Sequence, residues 1–272
     1  MKKGLGMRNA WRVGKVFGIE IHIDSSWLII FVLVTWTLAG NYFPAQNPSS
    51  PLLLNWVLGI IASLLFFASV LAHELSHSLV AINQGEKVHN ITLFIFGGVA
   101  QIGDEPDSPL KEFLIAFVGP LTSIAIGICS YMTWWLLNDI APSFSSIFNY
   151  LGFINIALAC FNLIPGFPLD GGRILRATIW GITKNKTLAT RVASFSGKVV
   201  AFLLIFSGIW FIFTGLTLNG IWMIFIGWFL YNAATSSYRH LQVKDALSEV
   251  SVGDLMITNF DTVSPNMTIQ EL

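Results

Sequence analysis

Charged residues are scarce in this chain, at 11% of 272 positions, against roughly 25% in an ordinary soluble domain. So few charges cannot clothe a water-exposed surface, and a soluble globular fold is excluded. Cysteine is nearly absent. Cys129 and Cys160 both fall in apolar stretches, which argues against a disulfide framework or a thiolate metal cluster and leaves two small apolar core residues. Neither sign of charge is in excess, with Lys plus Arg at 15 and Asp plus Glu at 15, so nothing points to a nucleic-acid partner. The N-terminus lacks the apolar core of a cleavable signal peptide. The basic segment Met1 to Lys15 runs instead into the alternating Ile19, Ile21 and Ile23, and the first membrane span is expected to remain in the mature protein.

What the chain has in abundance is apolar sequence, 54% of residues with a mean hydropathy of +0.68. A helix crosses a hydrocarbon core with about 20 apolar residues. Six such spans can be placed, at roughly 25–43, 52–83, 112–137, 146–165, 197–216 and 218–234. The fold class expected is an all-α polytopic membrane protein with six transmembrane helices. The connectors orient it. Lys2, Lys3, Arg8, Arg12 and Lys15 precede the first span and no Lys or Arg occurs from Asn41 to Pro51, which puts the N-terminus in the cytosol. Lys87 and Lys111 then flank the second connector, the third is free of Lys and Arg, and Arg173, Arg176, Lys184 and Lys186 crowd the fourth. Both termini are expected on the cytosolic side, in a prokaryotic cytoplasmic membrane.

Between the second and third spans, residues 87–103 are β-branched, aromatic and punctuated by Gly97 and Gly98. A short membrane-embedded β-hairpin is expected there. Ribbon backbone at membrane depth is tolerated only where protein or a water-filled cavity covers it, so the hairpin belongs beside a site. From about Leu241 the composition becomes soluble. Two units are therefore expected, a membrane domain over 1–240 and a cytosolic segment over 241–272, the latter too short for a core of its own.

The chemistry concentrates in His73-Glu74-Leu75-Ser76-His77, set into the long apolar pattern of 52–83. Positions i and i+4 share a helix face, so both imidazoles converge on one ion, and Glu74 is placed to take a proton from a metal-activated water. Zinc suits two imidazoles and lowers the pKa of its water to about 7. Without a metal, burying two histidines and a glutamate as a core network is costly. A catalytic zinc ordinarily takes three protein ligands. His22, His89 and His240 read as structural or solvated histidines. Asp170 is the outstanding third candidate, because Pro165 and Pro168 break the fourth span's cytosolic end and deliver a carboxylate into the bundle. Counted from Gln84 at 1.5 Å per residue, the histidines lie about 10–16 Å inside the same end of their helix.

The His-Glu-x-x-His helix, followed much later by Asn162-Leu163-Ile164-Pro165-Gly166-Phe167-Pro168-Leu169-Asp170-Gly171-Gly172, resembles the site-2 protease family of intramembrane zinc metalloproteases. The likeness covers most of 16–235 and includes Gly97-Gly98-Val99-Ala100 and Gly119-Pro120-Leu121. It implies one zinc ion per chain held by His73, His77 and Asp170, with Glu74 as general base. It matches Asn162 to an asparagine near the active site, which either donates to substrate backbone or bonds helix to helix. Ser76 departs from the glycine of many members and is also small. The implied reaction is peptide hydrolysis in or near a transmembrane segment of another membrane protein. Because a helical substrate must unwind first, an exposed strand edge near 91–102, with Gly97 and Gly98, is expected to receive it by β-addition. A membrane metal transporter and a non-catalytic zinc-binding scaffold are the alternatives. The tail from Val243 through Val252-Gly253-Asp254 to Thr268-Ile269 looks like the opening of a cystathionine-β-synthase-type (CBS) domain. It stops partway through a first repeat, so adenine nucleotide is expected only with a complete domain.

Overall fold

The computed structural model describes residues 10–95, 97–103 and 106–248. Two strands come first, β1 (Ala10–Val16) and β2 (Ile19–Asp24), then α1 (Ser25–Thr37), a π-helical turn (Leu38–Tyr42) and α2 (Phe43–Gln46). The long α3 (Leu52–Asn83) leads into β3 (Val88–Phe94) and β4 (Gly97–Ile102). Four further helices of very different length follow, α4 (Pro109–Leu137), α5 (Pro142–Asn162), α6 (Asp170–Thr183) and α7 (Lys186–Phe213). The last described element is α8 (Thr217–Ser248).

Among the described residues, five helical stretches are long and apolar enough to cross a membrane: Ser25–Gln46, Leu52–Asn83, Pro109–Leu137, Pro142–Asn162 and Lys186–Phe213. The sixth expected span, 218–234, forms the first half of α8, which continues unbroken to Ser248 and so runs through the boundary expected at residue 240. Five stretches, not six, meet the length-and-composition test. Of the expected CBS-type segment, 249–272 lie outside the described residues.

The bundle is packed as lipid-embedded helices pack, with large apolar side chains turned outward and small or weakly polar ones inward. Ile29, Val32, Phe195 and Phe206 are exposed, whereas Gly59, Ala62, Ser63, Ala116, Ser123 and Ala193 are buried. The α7–α8 pair shows why. A Cβ on Gly220 would lie 2.6 Å from Ile212 Cγ1, and one on Gly227 would lie 2.7 Å from the Ala201 carbonyl oxygen, so the close approach depends on residues without side chains.

The expected hairpin is present as β3 and β4 but belongs to a four-stranded sheet in the order β1-β2-β3-β4. Its outer pairs are antiparallel and its central β2–β3 pair is parallel, with Ile21 opposite Ile91. A parallel pair needs a long crossover, and α1 to α3 supply it. Ile19, Ile21 and Ile91 form a buried cluster against Leu71 and Leu75 of α3, which fixes the sheet beside the turn that carries His73 and His77. Asp24 ends β2 and caps α1 by accepting a hydrogen bond from Ser26 N–H at 2.9 Å. The Ser26 hydroxyl first, and then this N–H, hold its carboxyl below the usual carboxylate range.

Candidate metal centre

Three side chains expected to meet do meet. His73 Nε2 lies 3.1 Å from Asp170 Oδ2, His77 Nε2 lies 3.2 Å from the same oxygen, and the two Nε2 atoms are 3.1 Å apart. The two imidazoles are buried and the carboxylate nearly so. Ligands about 2.0–2.1 Å from a tetrahedral zinc sit about 3.3 Å from one another, so this triangle has the dimensions of one face of a zinc site.

Hydrogen bonding settles which ring atoms face the triangle. The other nitrogen of His77, Nδ1, points at the carbonyl of Ile115, 2.5 Å away. A carbonyl only accepts, so Nδ1 carries the proton and Nε2 of neutral His77 presents a lone pair. Nδ1 of His73 is held by Ser123 Oγ at 2.9 Å. Both partners come from α4, which therefore orients both rings. A lone pair and a carboxylate oxygen 3.2 Å apart repel each other, and a single proton on His73 Nε2 cannot satisfy both at full strength. A divalent cation satisfies all three, and the residues fit one.

The surrounding backbone makes the room. Gly119 of α4 faces the imidazoles so closely that a Cβ there would lie 2.7 Å from His73 Nε2 and closer still to His77. Asp170 is delivered by a proline-broken turn, as expected. α5 stops at Asn162, residues 163–169 form a compact loop holding Pro165 and a cis Phe167–Pro168 bond, and Asp170 is the first residue of α6. The loop folds onto the start of α6, where a Cβ on Gly171 would lie 2.5 Å from the Leu163 carbonyl carbon. It is also tied to α7. Phe167 N–H donates to the Ala193 carbonyl at 3.1 Å and Ser196 Oγ donates to the Pro165 carbonyl. The two glycines after Asp170 thus let the loop close down and set the carboxylate.

Glu74, on the same turn of α3, faces the sheet. Its carboxylate is hydrogen-bonded by the backbone of Ala100, and a Cβ on Gly98 would lie 2.5 Å from Glu74 Cγ. Gly98 is therefore bare because the glutamate occupies the space of a side chain. Gly97 turns the hairpin at φ +124°, a conformation open to glycine. In an antiparallel ladder Gly98 and Ala100 present their backbone groups to the same side, and that side is the open edge of β4. Asn162 stands half-buried at the last turn of α5.

Three contributors were not evident from the residue pattern. Ser123 and the Ile115 carbonyl orient the rings, and a backbone carbonyl carries no residue-type signal at all. The third is Arg176, which the charge count treats as a loop cation. It is instead buried, donates from Nε to Glu112 Oε1 at 2.6 Å and stacks over Phe167 at 5.0 Å. Glu112 lies in the first turn of α4 with no exposed surface. The pair ties α6 to α4, and so ties the helix that begins with Asp170 to the helix that orients both imidazoles.

A membrane-embedded helical bundle with a His-His-Asp triangle and a neighbouring glutamate defines the class of intramembrane zinc metalloproteases. The comparisons agree. The sequence profile of peptidase family M50 matches residues 61–139 and 138–207, more than half of the chain. The chain is 40% identical over 270 residues to sll0528 of Synechocystis sp., assigned as a zinc metalloprotease, with 98% of this chain and 70% of that protein covered. It is 31% identical over 268 residues to zinc metalloprotease MJ0392 of Methanocaldococcus jannaschii, covering 97% and 71%. A match to Rip3 of Mycobacterium tuberculosis covers 64% of that protein, so the chain spans about two thirds of the length of these curated relatives. The solved structure of the site-2 protease from Methanocaldococcus jannaschii superposes with a TM-score of 0.56 at 28% identity, covering 94% of this chain and 99% of that one. The chain belongs to peptidase family M50.

Proposed function

We propose that this protein binds one zinc ion through His73, His77 and Asp170 and hydrolyses peptide bonds in or near transmembrane segments of other membrane proteins, with Glu74 as general base. The observation that carries the reading is the convergence of three ligand atoms within 3.1–3.2 Å of one another, with a carboxylate on the same helical turn. Bound zinc supplies a Lewis acid that polarises a carbonyl and lowers the pKa of water to about 7. The chain's own residues do the rest. Ser123 and the Ile115 carbonyl hold the imidazoles with Nε2 forward. Glu74 takes a proton from the attacking water and passes it to the nitrogen of the breaking C–N bond, which leaves as the amine while the other fragment ends in a carboxylate. Chelation of the metal is expected to stop cleavage of a transmembrane substrate in detergent or nanodiscs, and one equivalent of zinc to restore it. Unchanged cleavage by the metal-free protein sinks the reading.

A helical segment must unwind before its carbonyl is open to attack. The open edge of β4, where Gly98 lies against Glu74, is the surface we assign to the unwound segment, which adds as a further strand, with Asn162 as a second backbone contact. Strand addition uses alternate amides of the incoming chain. Methylating the substrate's backbone nitrogens at one set of alternate positions is therefore expected to lower kcat/KM at least about tenfold, and methylating the other set to leave it nearly unchanged. Equal effects in both registers rule out the strand.

In the topology that accompanies this reading the first half of α8 makes a sixth crossing, so that both termini lie on the cytosolic side of a prokaryotic cytoplasmic membrane, with residues 1–240 as the protease domain. Residues 241–272 are assigned as the start of a CBS-type regulatory domain, and adenine nucleotide acts only on a complete one.

A further inference from the structure

Arg173 is a cation close to the candidate site to which the proposed mechanism gives no role. It lies one turn after Asp170 on the same face of α6, half-buried, and lines a cavity of about 530 Å³. Phe167 and Pro168 of the ligand loop form one wall of this cavity, and Ala233, Ser236 and Ser237 of α8 form another. Arg176, also on the wall, is committed to Glu112. Arg173 has no carboxylate within 4 Å among the described residues, although it is close enough to Glu74 to act on it electrostatically. A half-buried guanidinium on a cavity wall, with no carboxylate of the described residues beside it, is placed to meet a ligand.

The chemistry of that ligand follows from what β4, against Glu74, leaves unpaired and from where Arg173 stands, one turn beyond Asp170. β4 offers an incoming strand donors and acceptors along one edge only. An unwound transmembrane segment also has carbonyls on its other edge, and these have lost their helical N–H partners where water is scarce. Arg173 carries only donors, five N–H groups in a rigid fork, on the α6 side. Building on the protease reading above, we infer that Arg173 is a substrate-binding residue, whose guanidinium hydrogen-bonds the backbone carbonyls exposed on the outer edge of the unwound segment beside the cavity between α6 and α8.

The test uses the full chain in nanodiscs with one equivalent of zinc and a fluorogenic transmembrane peptide. Arg173→Met, which keeps the side-chain length, is expected to raise KM about tenfold or more, the loss expected for hydrogen bonds from a charged donor, with kcat within about threefold of wild type. Zinc content and melting temperature should stay at wild-type values. Arg173→Lys should recover only part of the loss, because a point charge replaces the fork. Binding of the same peptide to Glu74→Gln, with and without Arg173→Met, should show the same weakening in Kd without turnover. An unchanged KM and Kd overturns the inference and leaves the protease reading intact. Loss of zinc in step with activity also overturns it, since Arg173 would then support the ligand loop. Failure of zinc-loaded wild type to cleave any transmembrane peptide removes both readings together.

Discussion

Glu74→Gln is expected to leave one zinc per chain in place and to lower kcat for a transmembrane substrate by about 10²–10⁴-fold, the usual contribution of a positioned general base. The expectation rests on how little else the substitution disturbs. Glutamine has the shape of glutamate, so the contact with Gly98 is preserved, and its carbonyl oxygen can still accept from the Ala100 backbone. The three ligand atoms belong to other side chains, and the ring-orienting bonds from Ser123 and Ile115 do not involve Glu74. What disappears is the capacity to accept a proton from water and return it to the leaving nitrogen. KM should change little, because the loss falls on the transition state. Metal analysis alongside single-turnover cleavage decides the matter: a zinc-loaded variant that cleaves at the wild-type rate eliminates Glu74 as the base. A metal transporter would show the opposite pattern, with flux insensitive to the substitution.

Asp170→Ala is expected to abolish cleavage by a different route. It removes the one anionic ligand of the triangle and leaves two imidazoles with no charge between them to balance a divalent cation. Substitutions that merely touch a ligand's hydrogen-bond partners cost roughly 10–100-fold in metal affinity, so loss of the ligand itself should weaken zinc binding by at least about a hundredfold, read by competition with a chromogenic chelator. The fold should survive. The 163–169 loop is held by its backbone contacts to α6 and α7 rather than by the carboxylate, and α6 is held to α4 by Arg176 and Glu112. Asp170→Asn tests the charge alone and should lose most of the same affinity. Either variant retaining full zinc occupancy and full cleavage would remove Asp170 from the ligand set.

Much of this site is legible in the residue order, because the relevant relations are local. His73 and His77 are four residues apart, and any helix at that place brings them to one face. The prolines at 165 and 168 cannot continue α5, so the chain must break there, and the carboxylate after the break is necessarily near a helix end. Glycines and β-branched residues at 87–103 mark a ribbon for the same reason, since backbone preference is set residue by residue. The span count shows the limit. Composition marks an apolar stretch at 218–234, but this stretch forms only the first half of α8 and is not among the five that are long and apolar enough to cross a membrane.

Residue order by itself determined the membrane class, the two histidines and glutamate on one helix, and the break that presents Asp170, each of them a consequence of short-range geometry and hydropathy. The tertiary structure decided everything that depends on which distant segments touch. β2 pairs parallel with β3 across α1 to α3 and turns a hairpin into a sheet packed on the turn that carries His73 and His77. Arg176 is consumed by a buried carboxylate while Arg173, one turn earlier, faces a cavity. Gly119 and Gly98 are bare because imidazoles and a carboxylate occupy the places of their side chains. A pairing or a vacancy of this kind is a property of two surfaces in contact, and no periodicity within either segment encodes it.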